Sequence, residues 1–188
     1  SWAGSLGTLL ASPQLIAQDD RSTITIYVGA ASSMDFAARA IAEHLREALG
    51  RPVIVVPKTG GSPEPRRITI AWDGSARSAR AVGDALPLLQ SAQWVSVVVI
   101  GGEKDLSGIA PASGLISYLE RHGVKSEQVT LVAVGGDVAE TLRQYVRDSG
   151  VELIVMGAFV HSRFRQAVLG GVTRSLLENS PVPLFLAY

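Results

Sequence analysis

The sequence predicts an α/β protein, a three-layer α/β/α fold around a mainly parallel sheet, with a β-α-β unit ahead of it. From Thr23 onward, short β-branched runs alternate with helical stretches. The strand candidates are continuously apolar, as in "WVSVVVIGG" and "VELIVMGA", the pattern of strands covered by helices on both faces. Apolar residues make up 47% and charged ones 18%, a balance that fills a buried core and excludes a disordered chain.

The β-α-β unit occupies residues 22–57. "TITIYVG" is a strand ending in glycine, "SSMDFAARAIAEHLREALG" is a helix, and "RPVIVVP" is a second strand. Ser33 caps the helix, Ala37, Ile41, Leu45 and Leu49 share one face, and Gly50 ends it. Residues 58–66 gather glycine, proline and charge without periodicity and read as a linker. Residues 67–188 form the main domain.

Within that domain "RITIAWDG" is a strand and "SARSARAVGDALPLLQ" one helix with Ser75 as N-cap. "WVSVVVIGG" is the next strand, followed by the loop "EKDLSGIAPAS", the helix "GLISYLERHG" and the strand "VTLVAVGG". "DVAETLRQYVRDSG" carries a capping box, Asp137 with Glu140, a stripe of Val138, Leu142 and Val146, and a terminating Gly150. "VELIVMGA", a glycine-bounded stretch, a helix around "VTRSLLENS" and the strand "VPLFLAY" follow.

Two strand pairs look alike. "TITIYVGA…RPVIVVP" and "ELIVMGAF…VPLFLAY" each run from a strand ending in Gly-Ala, through a helix, to a short strand preceded by proline. A repeat of this kind makes residues 22–57 a partial copy of the chain's last third.

Charge and composition narrow the function classes. Lys plus Arg equals Asp plus Glu at 17 each, so no global field draws the chain to nucleic acid or to anionic lipid. Cysteine is absent, which removes disulfides, thiolate catalysis and sulfur-ligated metals. His44, His122 and His161 stand far apart in no ligand-like spacing, so no metal is expected. "AGSLGTLLASPQLIAQ", within residues 1–21, reads either as the apolar and cleavage regions of a secretory signal or as an apolar packing arm. Pro13 and its short length keep it from spanning a bilayer.

Residues 66–188 resemble the universal stress protein family. The resemblance rests on "ITIAWDGSARSARAVGDALPLL", "GDVAETLRQYVRDSGVELIVMGAF" and "HSRFRQAVLGGVTRSLLENSPVPLFLAY" taken together. It implies a five-stranded parallel sheet of order 3-2-1-4-5, related to adenine-nucleotide α-hydrolase-like folds. A ligand would sit where that order reverses, between the strand leading to Asp73 and the one ending at Gly157. It also implies ATP as a ligand, though not a required one, against Ala71, Asp73, Val99, Met156, Gly157, His161, Arg163, Gly170, Gly171, Val172 and Thr173.

Nucleotide-binding members carry G-x-x-G, nine residues, then glycine followed by serine or threonine. Glycines let backbone N–H groups approach phosphate, and the hydroxyl donates a further bond at a helix N-terminus. Gly157 and Gly170 match at the right spacing, but Val160 replaces the second glycine and Gly171 the hydroxyl residue. Valine disfavours a positive φ, while Thr173, His161, Arg163 and Arg165 offer a hydroxyl and charge. The same stretch has an architectural reading, with Gly157 a strand exit, Gly170 and Gly171 a helix start, and the basic residues a solvated face. Asp73 likewise either contacts adenine or ribose or braces its turn.

The N-terminal part, about residues 22–61, resembles the start of a tripartite tricarboxylate transporter solute-binding protein, including the loop "GAASSMD". It equally resembles the join in tandem universal stress proteins, so a chimera and a truncated tandem protein both stand. The resemblance implies a stress-response binding or regulatory role rather than catalysis, with a slow ATPase or a ligand-free fusion as alternatives. The strand from Val182 to Tyr188 is expected to pair in a homodimer or within the chain. A cytoplasmic location is expected, with export as the alternative if the N-terminal segment is a signal.

Overall fold

A computed structural model describes residues 24–27, 52–57, 60–101, 112–158, 160–161, 168–169 and 171–187. Strands β1 (Ile24–Tyr27) and β2 (Val53–Val56) precede the main domain, which opens with β3 (Arg67–Ala71), α1 (Ala76–Asp84), α2 (Leu86–Ser91) and β4 (Trp94–Gly101). It continues with α3 (Ala112–Arg121), β5 (Ser126–Val132), α4 (Val138–Ser149) and β6 (Leu153–Gly157). The short strands β7 (Val160–His161) and β8 (Val168–Leu169), then α5 (Gly171–Glu178) and β9 (Leu184–Ala187), complete it.

Seven strands form one sheet in the order β1-β2-β9-β6-β3-β4-β5. The five strands of the main domain take the expected 3-2-1-4-5 order and run parallel throughout. The sheet is larger than five strands because β2 joins β9 antiparallel and β1 joins β2 parallel. The unit read as an appendage therefore extends the domain's own sheet.

Two apolar layers sandwich this sheet. On one face Ile68, Ile70, Val97, Val155 and Phe185 pack beneath Ala81, Val82 and Leu89 of α1 and α2 and Leu115 and Leu119 of α3. On the other, Val53, Val98, Ile154, Met156 and Leu184 pack against Leu142 and Val146 of α4 and Leu176 of α5. Neighbouring residues along each strand point to opposite layers, so continuous apolar runs bury both faces. No helix among the described residues is long and apolar enough to cross a membrane.

Several local details differ from the sequence reading. The stretch expected to form one helix after Ser75 breaks at Ala85, which closes α1 and opens α2. Pro87 explains the break, since it lacks an N–H and its ring would meet the carbonyl of Gly83 in a continuous helix. The strand placed at Val129–Gly136 begins earlier, at Ser126, and stops at Val132. Its first residues pair with Val95–Val97 of β4, yet as an edge strand it exposes most side chains and so gives no apolar signal.

The caps follow the chemistry of their residues. The Ser75 side chain accepts the Ser78 N–H, and the Asp137 side chain accepts the Glu140 N–H. Only half of the capping box forms, because Glu140 turns its carboxylate to Arg143 and Arg147 instead. Gly150 closes α4 in the left-handed conformation, at φ 61°. The arm at 1–21, the helix read from Ser33 to Leu49 and the "GAASSMD" loop lie outside the described residues.

Candidate functional site

The candidate site is built on the neighbouring strands β3 and β6. They run parallel in register from Ile68 opposite Leu153 to Ala71 opposite Met156, so Asp73 and Gly157 leave the same end of the sheet side by side. This is where the strand order reverses, with β4 and β5 to one side and β9 to the other. Diverging crossovers open a crevice at such a place.

Ala71 and Met156 face the layer beneath α4 and α5, while Val99 of β4 packs toward α1, α2 and α3. The resemblance-derived set therefore straddles the sheet's end rather than lining one face. Half-buried Asp73 accepts the Ser75 N–H on its Oδ1 at 2.9 Å, and Ser75 Oγ accepts the Ser78 N–H at 3.1 Å. Asp73 thus braces the turn into α1, and it does so at the end of the sheet where the strand order reverses.

Gly157 has a packing reason of its own. A Cβ added there would stand 2.6 Å from the Ser78 nitrogen and 2.8 Å from the Arg77 carbonyl carbon. Both are backbone atoms, which do not give way cheaply. The first turn of α1 therefore lies directly on β6 because residue 157 has no side chain.

After Gly157 the chain forms a small antiparallel ladder, Val160 opposite Leu169 and His161 opposite Val168. Val160 thus takes an extended backbone, which suits a β-branched residue and needs no positive φ. Arg163 and Gly170 lie outside the described residues, and of His161 only the backbone is described. Helix α5 then begins at exposed Gly171, where an added Cβ would meet nothing within 4 Å. Val172 is half-buried, and Thr173 is buried at 3% exposure, so its hydroxyl sits within the protein.

Arg143 was not singled out in the sequence, yet it fixes this helix. At 8% exposure, its Nη1 donates to Ser175 Oγ at 3.0 Å and to the Ser175 carbonyl at 3.2 Å, tying α4 to α5. Its Nε donates to Glu140 at 2.7 Å, and Arg147 donates to the same carboxylate at 2.7 Å. The Arg143 hydrogen bond, followed by that of Arg147, holds the Glu140 carboxyl below the ordinary glutamate range. The missed signal was an arginine on the stripe that also carries Ala139, Leu142 and Val146.

Chemically, this end of the sheet brings the Asp73 carboxylate beside the exit of β6, with Ala71 and Met156 packed in the layer beneath it, and the chain after β6 leads to a helix start at Gly171. The first N–H groups of a helix have no intrahelical acceptor and favour an anion. Among the described residues no group of three or more His, Asp or Glu side chains is placed to hold a metal ion.

Comparison with known proteins fits this geometry. The model of the universal stress protein family matches residues 64–187. Universal stress protein Slr1230 of Synechocystis is 28% identical over 144 residues, which are 76% of this chain and 48% of that protein. The chain thus matches about half the length of that relative. A universal stress protein structure from Archaeoglobus fulgidus aligns with a TM-score of 0.55 at 22% identity, over 65% of this chain and 98% of the other. A second structure, from Archaeoglobus fulgidus DSM 4304, gives a TM-score of 0.59 at 16% identity, over 73% of this chain and 51% of the other. At these identities the structural likeness speaks for the fold alone.

Proposed function

The chain belongs to the universal stress protein family, and from that premise we propose that it works by binding an adenine nucleotide weakly at the ends of β3 and β6, as a stress-response sensor rather than a catalyst. The observation that carries this reading is the register of Ala71 against Met156, which brings Asp73 and Gly157 together where the sheet order reverses.

In this reading the base and ribose lie toward Ala71, Met156 and Asp73, with Val99 at the far side of the sheet's end. The Asp73 carboxylate accepts from an amino or hydroxyl group while its turn stays braced by Ser75. The phosphates lie toward the N–H groups of Gly171 and Val172, where the partial positive charge of a helix start favours them. Gly170, His161, Arg163 and Thr173 complete the set carried over from the family. ATP supplies the charge that this end recognises. The residues present fit the base better than the phosphates, because Gly171 brings no hydroxyl and Thr173 is turned inward.

The test is a calorimetric titration of the full chain with ATP, with adenosine and with inorganic tripolyphosphate in parallel. ATP should bind with a dissociation constant on the order of 0.1 to 1 mM, about −4 to −5.5 kcal/mol, and each half-ligand more weakly. No ATP binding at several times that concentration, or tripolyphosphate binding as well as ATP does, would refute the assignment.

A further inference from the structure

Strand β5 ends the sheet on the side away from β1, so one long edge of it meets no strand among the described residues. The Ala133 N–H donates inward to the Gly101 carbonyl of β4 at 3.1 Å, which sets the direction of every backbone group before it. Those groups alternate along a strand, so the N–H and C=O of Glu127, Val129 and Leu131 serve β4. The N–H and C=O of Ser126, Gln128, Thr130 and Val132 point outward. They form a regular row, because the register with β4 runs from Ser126 to Val132 without a bulge.

Edges of this length are ordinarily blunted by lysine, proline or a bulge. β5 has none of these, and its one charge is Glu127. It ends in Val132, 80% exposed, and the turn that follows holds out Val134, 77% exposed. That turn is firmly tied. The Val134 N–H donates to Thr141 Oγ1 at 2.9 Å, the Asp137 N–H donates to the Val134 carbonyl at 3.1 Å, and Gly135 and Gly136 supply positive φ of 62° and 80°. Among the described residues these two valines are the large apolar side chains left in solvent.

The two faces of β5 differ. Val129 and Leu131 are half-buried in the layer with α4, on the face that Glu127 shares by alternation. Gln128, Thr130 and Val132 stand exposed on the other face. A strand laid along this edge would extend the α4 layer past Val129 and Leu131, cover Val132, and meet the Glu127 carboxylate. Directly opposite side chains interact, so these positions ask for apolar residues against the first three and a cation against Glu127. A second β5 supplies neither. Full antiparallel overlap, centred on Val129, would set Val132 against Ser126 and Glu127 against Leu131, and a centre at Thr130 would set Val132 against Gln128 and Glu127 against Ala133.

We infer that the outer edge of β5 is a docking edge for an extended segment of a partner protein, which adds antiparallel, the more stable pairing. The segment carries β-branched residues opposite Val132, Leu131 and Val129 and a lysine or arginine opposite Glu127. Its basic residue thus follows, five positions on, the apolar residue set against Val132. Outward backbone groups supply affinity, and the Val132 and Glu127 side chains choose the partner.

The probe is the peptide acetyl-Thr-Val-Val-Thr-Val-Thr-Lys-Gly-amide, whose first valine faces Val132 and whose lysine faces Glu127. Titrated into the full chain by calorimetry, it should bind at concentrations up to about 1 mM. N-methylation of the peptide residues opposite Gln128 and Thr130, whose N–H groups enter the ladder, should weaken binding by about tenfold or more. N-methylation opposite Val129 and Leu131, whose N–H groups point away, should change it by less than about twofold. Glu127→Lys should weaken the probe and restore binding when the peptide lysine becomes glutamate. Thr130→Pro removes an outward N–H and no bond to β4, so it should abolish binding while the parent's circular dichroism is kept. If that variant unfolds, the two methylation patterns on the parent decide. Absence of binding at about 1 mM, equal effects of the two patterns, or unchanged affinity in a folded Thr130→Pro chain overturns the inference. So does a parent dimer in sedimentation equilibrium that Val132→Lys dissociates, which would make a second copy the occupant. None of these outcomes depends on nucleotide binding.

Discussion

A side chain on Gly157 would stand 2.6 Å from the Ser78 backbone nitrogen, so the strand that ends at the crevice and the helix that begins there are in direct backbone contact. Gly157→Ala should therefore force β6 and α1 apart. We expect a loss of about 1 to 3 kcal/mol in urea unfolding, with Gly157→Ser no better. A neutral Gly157→Ala would mean that α1 does not rest on β6 in solution.

The Arg143–Ser175 contact ties α4 to α5 and so sets where Gly171 stands. Arg143→Met leaves the Ser175 hydroxyl without its donor and should cost about 1 to 3 kcal/mol. Ser175→Ala should cost less, and the double variant should be less damaging than the sum of the two, as expected of partners in contact. Additive losses in the double-mutant cycle would show that the two residues are not coupled.

Gly61 holds the connection between β2 and β3 against β9, since a Cβ there would come within 2.2 Å of Pro183 Cγ. Gly61→Ala should destabilise the chain by about 1 to 3 kcal/mol, read in thermal or urea unfolding. It should also loosen β2, visible as faster amide exchange across Val53–Val56 than in the parent. Unchanged exchange there would separate the linker from the covering of β9.

Glu140 gives a pH signature of known sign. Its folded carboxyl is held below the ordinary glutamate value by Arg143 first and Arg147 second. The folded state therefore keeps fewer protons in that range than the unfolded one. The associated stability is present above the ordinary value and disappears as pH falls through the lower, folded one. Glu140→Gln should reduce the stability lost between pH 6 and pH 3 at low salt, and salt should shrink the difference because the carboxylate is exposed. An identical acid limb in parent and variant would contradict the assignment.

Much of this fold could be read from residue order because its strands are continuously apolar and its helices are punctuated. Ser75, Asp137 and Gly150 mark helix ends by their own chemistry, and each does so in the structure. Pro87 carried the signal for the break between α1 and α2, but the amphipathic stripe around it looked unbroken. The start of β5 was hidden because its side chains face water, and its strand state comes from pairing with β4.

The candidate site was legible only in part. Spacing matched Gly157 and Gly170, of which Gly170 lies outside the described residues, and the proximity of Asp73 to Gly157 followed from the strand order. What residue order does not encode is backbone proximity, so the Gly157–Ser78 contact emerged only in three dimensions. The inward placement of Thr173 was equally hidden, because a hydroxyl in the first turn of a helix looks the same in sequence whether it faces a ligand or the core.

In the proposed function a nucleotide binds at the ends of β3 and β6, with its phosphates poorly served at the start of α5 because Gly171 brings no hydroxyl. Space around Gly171 is open, so Gly171→Ser adds a hydroxyl donor at the start of α5 without a clash. Calorimetric titration with ATP of the parent, Gly171→Ser, and Gly171→Ser with Val160→Gly tests this directly. Weak binding is expected in the parent, and a gain of about tenfold, or 1.4 kcal/mol, with both positions changed. Micromolar or tighter binding in the parent, or no gain in the double variant, would contradict it.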